Sequence, residues 1–470
     1  MSPRLATFVY LALIWILFRL NRDEEKTSWA LWLPVIWLFV ACSRSISLWL
    51  VCFGLNTAAP AVESADQYLD GSPLDRNFLI FFLLLALIVL IKRGKQVVDV
   101  LKSNWGLILF FSYCALSVMW SDYPGLALKR WIKAVGNVVM VIIVLTDPAP
   151  IPALKRLFNR VAFILIPLSI LFIKYYPEYG RSYNPWTWLP YYSGVTDNKN
   201  GLGMLCLISG IGSVWCLTQW FDSEKGPKGK GPFIANCAVL GMAGWLFYMA
   251  NSMTSLSCFG MATIILIGTH MKAIRARVWM IHAVVVSMIC TAVYALFFDS
   301  SGGLVENLGR DATLTGRTEL WHYVLKMTEN PLIGTGYESF WLGPRLEQLW
   351  SLFWWHPNEA HNGYLEIYIS LGWIGTILNA LVLLAAYFGA VAAIRRNSAS
   401  ANLRIAVCVA AIVYNISEAA FKGTDPIWIL FFISGVVSLN LGEASLRANE
   451  SSPLHDLQQL PAIAEQYSGH

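Results

Sequence analysis

Three stretches of this chain hold residue types and spacings that could do chemistry. The first, Gly309-Arg310-Asp311-Ala312-Thr313-Leu314-Thr315-Gly316-Arg317-Thr318-Glu319-Leu320-Trp321, leads into a helix that should stop at Asn330-Pro331. Thr315 or Gly316 is the natural cap, with Glu319 in the first turn. Arg317 then stands at a helix N-terminus, where the macrodipole disfavours a lone cation and favours a bound anion. Either an anionic ligand joins it there, or it is a solvated loop arginine paired with Asp311 or Glu319. The second stretch is His356-Pro357-Asn358-Glu359-Ala360-His361-Asn362-Gly363-Tyr364-Leu365-Glu366. If it is helical from about His361, then His361, Tyr364, Leu365 and Tyr368 share one face. A histidine beside a carboxylate at a membrane surface can act as a general base near neutral pH. The plainer alternative is an interfacial histidine bonded to a lipid headgroup. Zinc is not expected, because His356, Glu359 and His361 do not make H-E-x-x-H and Pro357 opposes the helix that motif needs. The third stretch is the aromatic run Tyr175 to Asn200, in which Arg181 and Lys199 flank Trp186, Trp188, Tyr191 and Tyr192. Flat rings cover the apolar faces of pyranoses while cations hold phosphate. The same rings would serve equally as an interfacial belt.

The elements that must position these groups are membrane helices. The 470 residues are 56% hydrophobic and 13% charged, with a mean hydropathy of +0.54. Soluble domains are roughly 45–50% apolar and 25% charged, so a water-soluble fold is excluded. The net charge of +5 belongs to the turns between spans and calls for no nucleic-acid partner. Nine cysteines, odd in number and without paired spacing, indicate neither a disulfide framework nor a zinc site. The run Leu5 to Phe18 lacks a small-residue cleavage site before Arg19 and Arg22, which points to a retained helix.

Apolar runs place spans at about 5–19, 29–55, 77–91, 105–120, 130–146, 161–174, 201–220, 232–250, 252–270, 278–298, 371–393, 405–420 and 427–441. The fold expected is all-α and polytopic, with 12–14 transmembrane helices. Ser43-Arg44-Ser45 interrupts the second run and marks a broken helix or a re-entrant pair. Basic turns at Lys92, Arg93 and Lys95; Lys155, Arg156 and Arg160; Lys225, Lys228 and Lys230; Lys272, Arg275 and Arg277; and Arg395, Arg396 and Arg404 define the cytoplasmic side. The opposite side receives 56–76, the short turn at 121–125, 175–200 and 299–370. Residues 1–441 thus form one membrane domain, and 442–470, polar with Pro453 and Pro461, are expected to be a disordered cytoplasmic tail. The helices hold few embedded charges, which argues against an ion or proton relay. Lys129, Arg130 and Lys133 open the fifth span, either snorkelling to the surface or holding a lipid phosphate. Glu418 is an acid near a helix end with no evident partner.

Five pieces, in order along most of the chain, carry a family resemblance: WSDYPGLALKRW (120–131), GVTDNKNGLG (194–203), GRDATLTGRTELW, NPLIGTGYESFW (330–341) and HNGYLEIYISLGWIG (361–375). Through them the sequence resembles the O-antigen ligase and Wzy polymerase superfamily of bacterial envelope enzymes, in its ExoQ-like exopolysaccharide branch. The resemblance implies a C-type membrane glycosyltransferase fold in the bacterial inner membrane, its active site facing the periplasm and built on 299–370 as a large periplasmic loop with short helices, with 175–200 as a second one. It implies transfer of a glycan from a polyprenyl pyrophosphate to a hydroxyl acceptor, inverting and without a metal or other cofactor. The product would be an exopolysaccharide or O-antigen polymer. The alternative within the family is ligation to a lipid A core, and a peptidoglycan-type polymerase differs only in its donor. By motif, Arg317 matches the family arginine before the loop helix and His361 its catalytic histidine. Arg310, Arg181, Lys199, Glu359 and Asn362 complete the expected substrate-binding set. One departure stands out: where many ligases carry a further arginine before a membrane helix, this chain reads Asn251-Ser252-Met253-Thr254-Ser255, so that role would pass to Arg181, Lys199 or Arg310. Partners implied are the lipid-linked oligosaccharide, a glycan acceptor, membrane lipid, and chain-length regulator or export proteins. A lipid-oligosaccharide flippase is the rival of another class, and would place its cations in a central cavity between helices.

Overall fold

The computed structural model describes residues 1–21, 26–55, 72–183, 188–221, 229–297, 314–423 and 425–436. In chain order the helices are α1 (Pro3–Leu20), α2 (Trp32–Ala41), α3 (Ile46–Cys52), α4 (Pro73–Lys92), α5 (Gly94–Ser103), α6 (Trp105–Leu116), α7 (Pro124–Leu145) and α8 (Pro150–Tyr175). They continue as α9 (Lys199–Phe221), α10 (Gly231–Ala250), α11 (Met253–His270), α12 (Val278–Phe297), α13 (Leu314–Lys326), α14 (Gly343–Leu352), α15 (Gly363–Arg395), α16 (Ala401–Ser417) and α17 (Pro426–Gly435). Several open on proline, whose fixed φ and missing N–H suit the first turn of a helix. A two-stranded antiparallel hairpin, Arg181–Tyr183 with Pro190–Tyr192, is the described strand structure.

The chain is an all-α, multi-pass membrane protein. Among the described residues, seven helices are long and apolar enough to cross a bilayer, and nine if each of two bent pairs is one span. Three further apolar helices, α12, α16 and α17, are shorter and stand outside that count, which is below the 12–14 expected. The outer helices α1 and α4 are 11% buried over their apolar windows, whereas α8 and α9 are 78% and 72% buried and form the middle of the bundle. The apolar outer faces of α1 and α4 are therefore available to lipid.

The break foreseen at Ser43–Ser45 is present, with α2 and α3 bent by 72°. Arg44 fills it, donating to the carbonyls of Tyr179, Gly194 and Thr196. A second bent pair, at 87°, joins α5 to the 105–120 segment. Two boundaries differ from expectation. Helix α8 starts at Pro150 and not near 161, so Lys155, Arg156 and Arg160 ride inside it. Arg160 stacks over Trp32 at 4.2 Å and Arg156 donates to Thr27 at 2.6 Å, which gives cations a place within the helix. Arg404 likewise lies inside α16, buried, its Nε donating to the Ser434 carbonyl at 2.8 Å at the end of α17. Polar helix ends gather at one pole of the bundle around buried Asp147, which accepts from Ser28 Oγ at 2.5 Å, while Arg93 donates to Ser28 at 2.7 Å. At the other pole stand the starts of α7, α9, α15 and α17 and the end of α16.

That second pole carries a small separate core of Leu320, Val324, Phe340, Trp341, Leu346, Leu349, Phe353, Ala360 and Ile369, which packs α13 and α14 onto the bundle. Helix α15 is kinked at Gly372 (φ 63°). The 331–336 segment pairs with the opened backbone there: Trp373 N donates to Pro331 O at 2.8 Å and Thr335 N to Ile369 O at 3.0 Å. A Cβ on Gly372 would lie 2.2 Å from the carbonyl carbon of Leu332, so only glycine admits this approach. The NPLIGTGYESFW and HNGYLEIYISLGWIG pieces are thus one interlocked unit.

Candidate active site

The site is built where the start of α15 meets the end of α16. Asn362 caps α15, its Oδ1 accepting from Tyr364 N and Leu365 N at 3.0 Å each. Its Nδ2 donates to the Ile416 carbonyl at 3.2 Å, and Gly363 N donates to the Glu418 carbonyl at 3.0 Å. A Cβ on Gly363 would stand 2.0 Å from Asn415 Oδ1, so glycine lets the two helix ends touch. The helix therefore starts at Gly363, not at His361. His361 adopts φ 50°, a left-handed conformation uncommon outside glycine, and the expected shared helical face with Tyr364 and Tyr368 does not form. The strain, of order 1 kcal/mol, is held by the Asn362 and Gly363 bonds on its C-terminal side.

This geometry brings His361 Nδ1 to 2.9 Å from Glu359 Oε1 and 3.4 Å from Glu418 Oε2. These are ion-pair contacts; neither carboxylate lies in line with the N–H. The other oxygen of Glu359 binds the Lys422 ammonium, and Glu418 Oε1 accepts from Asn200 Nδ2 at 3.4 Å. Burial opposes the charge on His361, but the two carboxylates outweigh it and raise the imidazole from 6.5 to about 9. Burial likewise opposes the charge on Glu359, and Lys422 with His361 hold its carboxyl well below the usual range. With Nδ1 committed to the carboxylates, Nε2 is the nitrogen left for a substrate.

Helix α13 delivers Arg317. Leu320 and Val324 anchor it in the small core, and Trp321 Nε1 donates to the Ala360 carbonyl at 2.8 Å. One turn before Trp321, on the same side, Arg317 Nη1 donates to the Ser417 carbonyl at 2.9 Å, next to Glu418. The end of α16 supplies negative carbonyl ends that favour a cation there. Arg317, Glu359, His361 and Asn362 therefore converge on one helix end, from segments widely separated in sequence. Arg181 does not join them: its Nε donates to the Ile173 carbonyl at 3.1 Å and its guanidinium lies 5.7 Å from the Tyr192 ring. Lys199 is exposed at the first turn of α9, beside Asn200. Arg310 lies outside the described residues.

Lys422 and Asn358 connect this cluster to a cavity of about 430 Å³. Arg130 and Lys133 of α7 also line it. Their i, i+3 spacing on one face of α7 is the sequence signal for this placement, beyond snorkelling or a lipid phosphate. Glu418 was noticed only as an acid without a partner, and Lys422 and Asn200 were missed. Asn200 lies in the 194–203 piece but Glu418 and Lys422 lie in none of the five, and all three enter at helix ends that tertiary packing brings together. Ligand atoms of Glu359, His361 and Glu418 lie within 4.8 Å of one another, the spacing of a metal site. A metal there would have to displace the His361 proton and compete with Lys422 for Glu359. His356, the other histidine weighed for zinc, stacks on Trp350 at 4.9 Å.

Two comparisons bear on this arrangement. The sequence model of the family described as O-antigen ligase matches residues 238–380, which include α13, Arg317 and the His361 segment. The exopolysaccharide production protein ExoQ of Rhizobium meliloti (strain 1021) is 26% identical over 325 residues, 67% of this chain and 71% of that protein. In these stretches the chain is therefore similar to the O-antigen ligase family and to ExoQ, and the family match covers both the Arg317 helix and the His361 segment.

Proposed function

We propose that the protein polymerises lipid-linked oligosaccharide repeat units into an exopolysaccharide or O-antigen at the periplasmic face of the bacterial inner membrane. The donor is a glycan on polyprenyl pyrophosphate and the acceptor is a hydroxyl of a second glycan. The observation that carries this reading is the convergence of Arg317 with the Glu359–His361–Glu418 cluster at the end of α16. A guanidinium and an imidazole backed by carboxylates are the two groups that such a transfer needs. As the acceptor oxygen attacks the anomeric carbon, its proton passes to His361 Nε2. The bond from that carbon to the pyrophosphate oxygen breaks, and the electron pair leaves with the phosphate. Arg317 meets the charge that develops there, a role in which one well-aimed donor is worth roughly 2.7–4 kcal/mol. Direct displacement inverts the anomeric carbon. The ExoQ name, exopolysaccharide production, agrees with a polymer as product.

The test mixes purified protein with a lipid-linked repeat unit, with and without a separate acceptor glycan. Ladders of lengthened product together with free polyprenyl pyrophosphate support polymerisation. Growth only when a lipid A core is added makes the protein a ligase. Movement of intact donor across liposomes with no change in its length would make it a flippase, the class that also lines a cavity with cations, and would overturn the proposal.

A further inference from the structure

Lys422 belongs to no motif, yet it stands between the histidine cluster and the cavity. Its ammonium binds Glu359, whose other oxygen is 2.9 Å from His361 Nδ1. Its side chain is 36% exposed and lines the cavity wall. The backbone beneath it is fixed: Gly423 N donates to Glu338 Oε1 at 2.6 Å, and Asn137 Nδ2 donates to the Gly423 carbonyl at 2.7 Å. An ammonium has three donors and no acceptor, and the bond to Glu359 uses one of them. Of the other cations on this cavity, Arg130 is committed to the main-chain carbonyl of Glu338.

We propose that Lys422 is a second cation of the diphosphate site, bridging Glu359 and a phosphate oxygen of the donor across from Arg317. This rests on the transferase reading above. A leaving diphosphate gains negative charge while His361 gains a proton, and Lys422 touches both events through one carboxylate. A flexible ammonium suits a phosphate whose charge grows during the reaction, because it binds as a point charge without a fixed fork. The carboxylates that face it, Glu359, Glu338, Glu366 and Asp425, keep it charged against the cost of burial.

The experiment measures binding of undecaprenyl diphosphate, and of undecaprenol as the uncharged control, to the full-length protein in phosphatidylcholine nanodiscs. Lys422→Ala should weaken diphosphate binding about tenfold, the scale of one hydrogen bond to a charged group, and leave undecaprenol unaffected. Lys422→Arg should keep most of the affinity. Because a lone Glu359 charge could disturb folding, Lys422→Gln is also combined with Glu359→Gln, which removes the ion pair as a unit. The double variant should still bind diphosphate weakly. Wild-type affinity in the double variant would reduce Lys422 to a partner of Glu359 and overturn the inference. If Arg317→Ala loses diphosphate while Lys422→Ala does not, the inference fails and the transferase reading stands. If neither loses it, both fail.

Discussion

The proton affinity of His361 is the property most open to measurement. Its imidazole stands at about 9 because two carboxylates face Nδ1, against an ordinary value of 6.5. That gap amounts to a few kcal/mol, at about 1.4 kcal/mol per unit of pKa. If Nε2 must be neutral to take the acceptor proton, only about 1% of the free protein is competent at pH 7. The rate constant kcat/KM should then climb about tenfold per pH unit from pH 7 and level off near 9. Glu418→Gln removes the more distant carboxylate, at 3.4 Å against 2.9 Å for Glu359, so the imidazole should fall but stay above its ordinary value while Glu359 remains. The rising limb should move to lower pH by about one unit, with a lower plateau because the base is weaker. The assay follows release of free polyprenyl pyrophosphate from a lipid-linked repeat unit at pH 6 to 10, with circular dichroism to confirm folding. A profile flat between pH 7 and 9, or a limb unmoved in Glu418→Gln, would refute His361 as the titrating base. The sign for stability is opposite to that for rate. A histidine raised on folding contributes stability fully present below 6.5, which is lost as pH rises through about 9.

Other outcomes follow from the same geometry. Arg317→Lys should lose nearly as much polymer-forming activity as Arg317→Ala, because the ammonium cannot hold Ser417 and a phosphate with one planar fork; full activity in membranes carrying the lysine variant would remove that role. Gly363→Ala should lower the melting temperature in detergent and uncouple α15 from α16, at a cost of about 1–3 kcal/mol, since its methyl meets Asn415 Oδ1 at 2.0 Å. Thiol labelling of a cysteine introduced at Lys326 should succeed from the periplasm, and labelling only from the cytosol would put the site on the wrong side of the membrane. Treatment with a chelator should leave turnover unchanged, while a loss restored by one added metal ion would turn the Glu359, His361 and Glu418 group into a metal site.

What the sequence determined by itself is the solvent of the protein and the chemistry of its motifs. Apolar runs with basic turns specify membrane helices because a bilayer leaves the backbone no other partners. Arg317 and His361 could be named because each sits in a local pattern that a linear reading can see. The break at Ser43–Ser45 was equally legible, since polar residues interrupt an apolar run. Tertiary structure alone decided how these pieces meet. Helix α8 extends back to Pro150 because Trp32 and Thr27 receive its arginines, a matter of neighbours and not of hydropathy. Arg181, equal on paper to Arg317, is spent on a helix end and an aromatic ring. Glu418 reaches His361 where Gly363 lets α15 and α16 come within backbone contact, and Asn200 and Lys422 join through Glu418 and Glu359. Electrostatic partners depend on distance in space, and spacing along a chain carries no record of that distance once it exceeds a turn or two of helix.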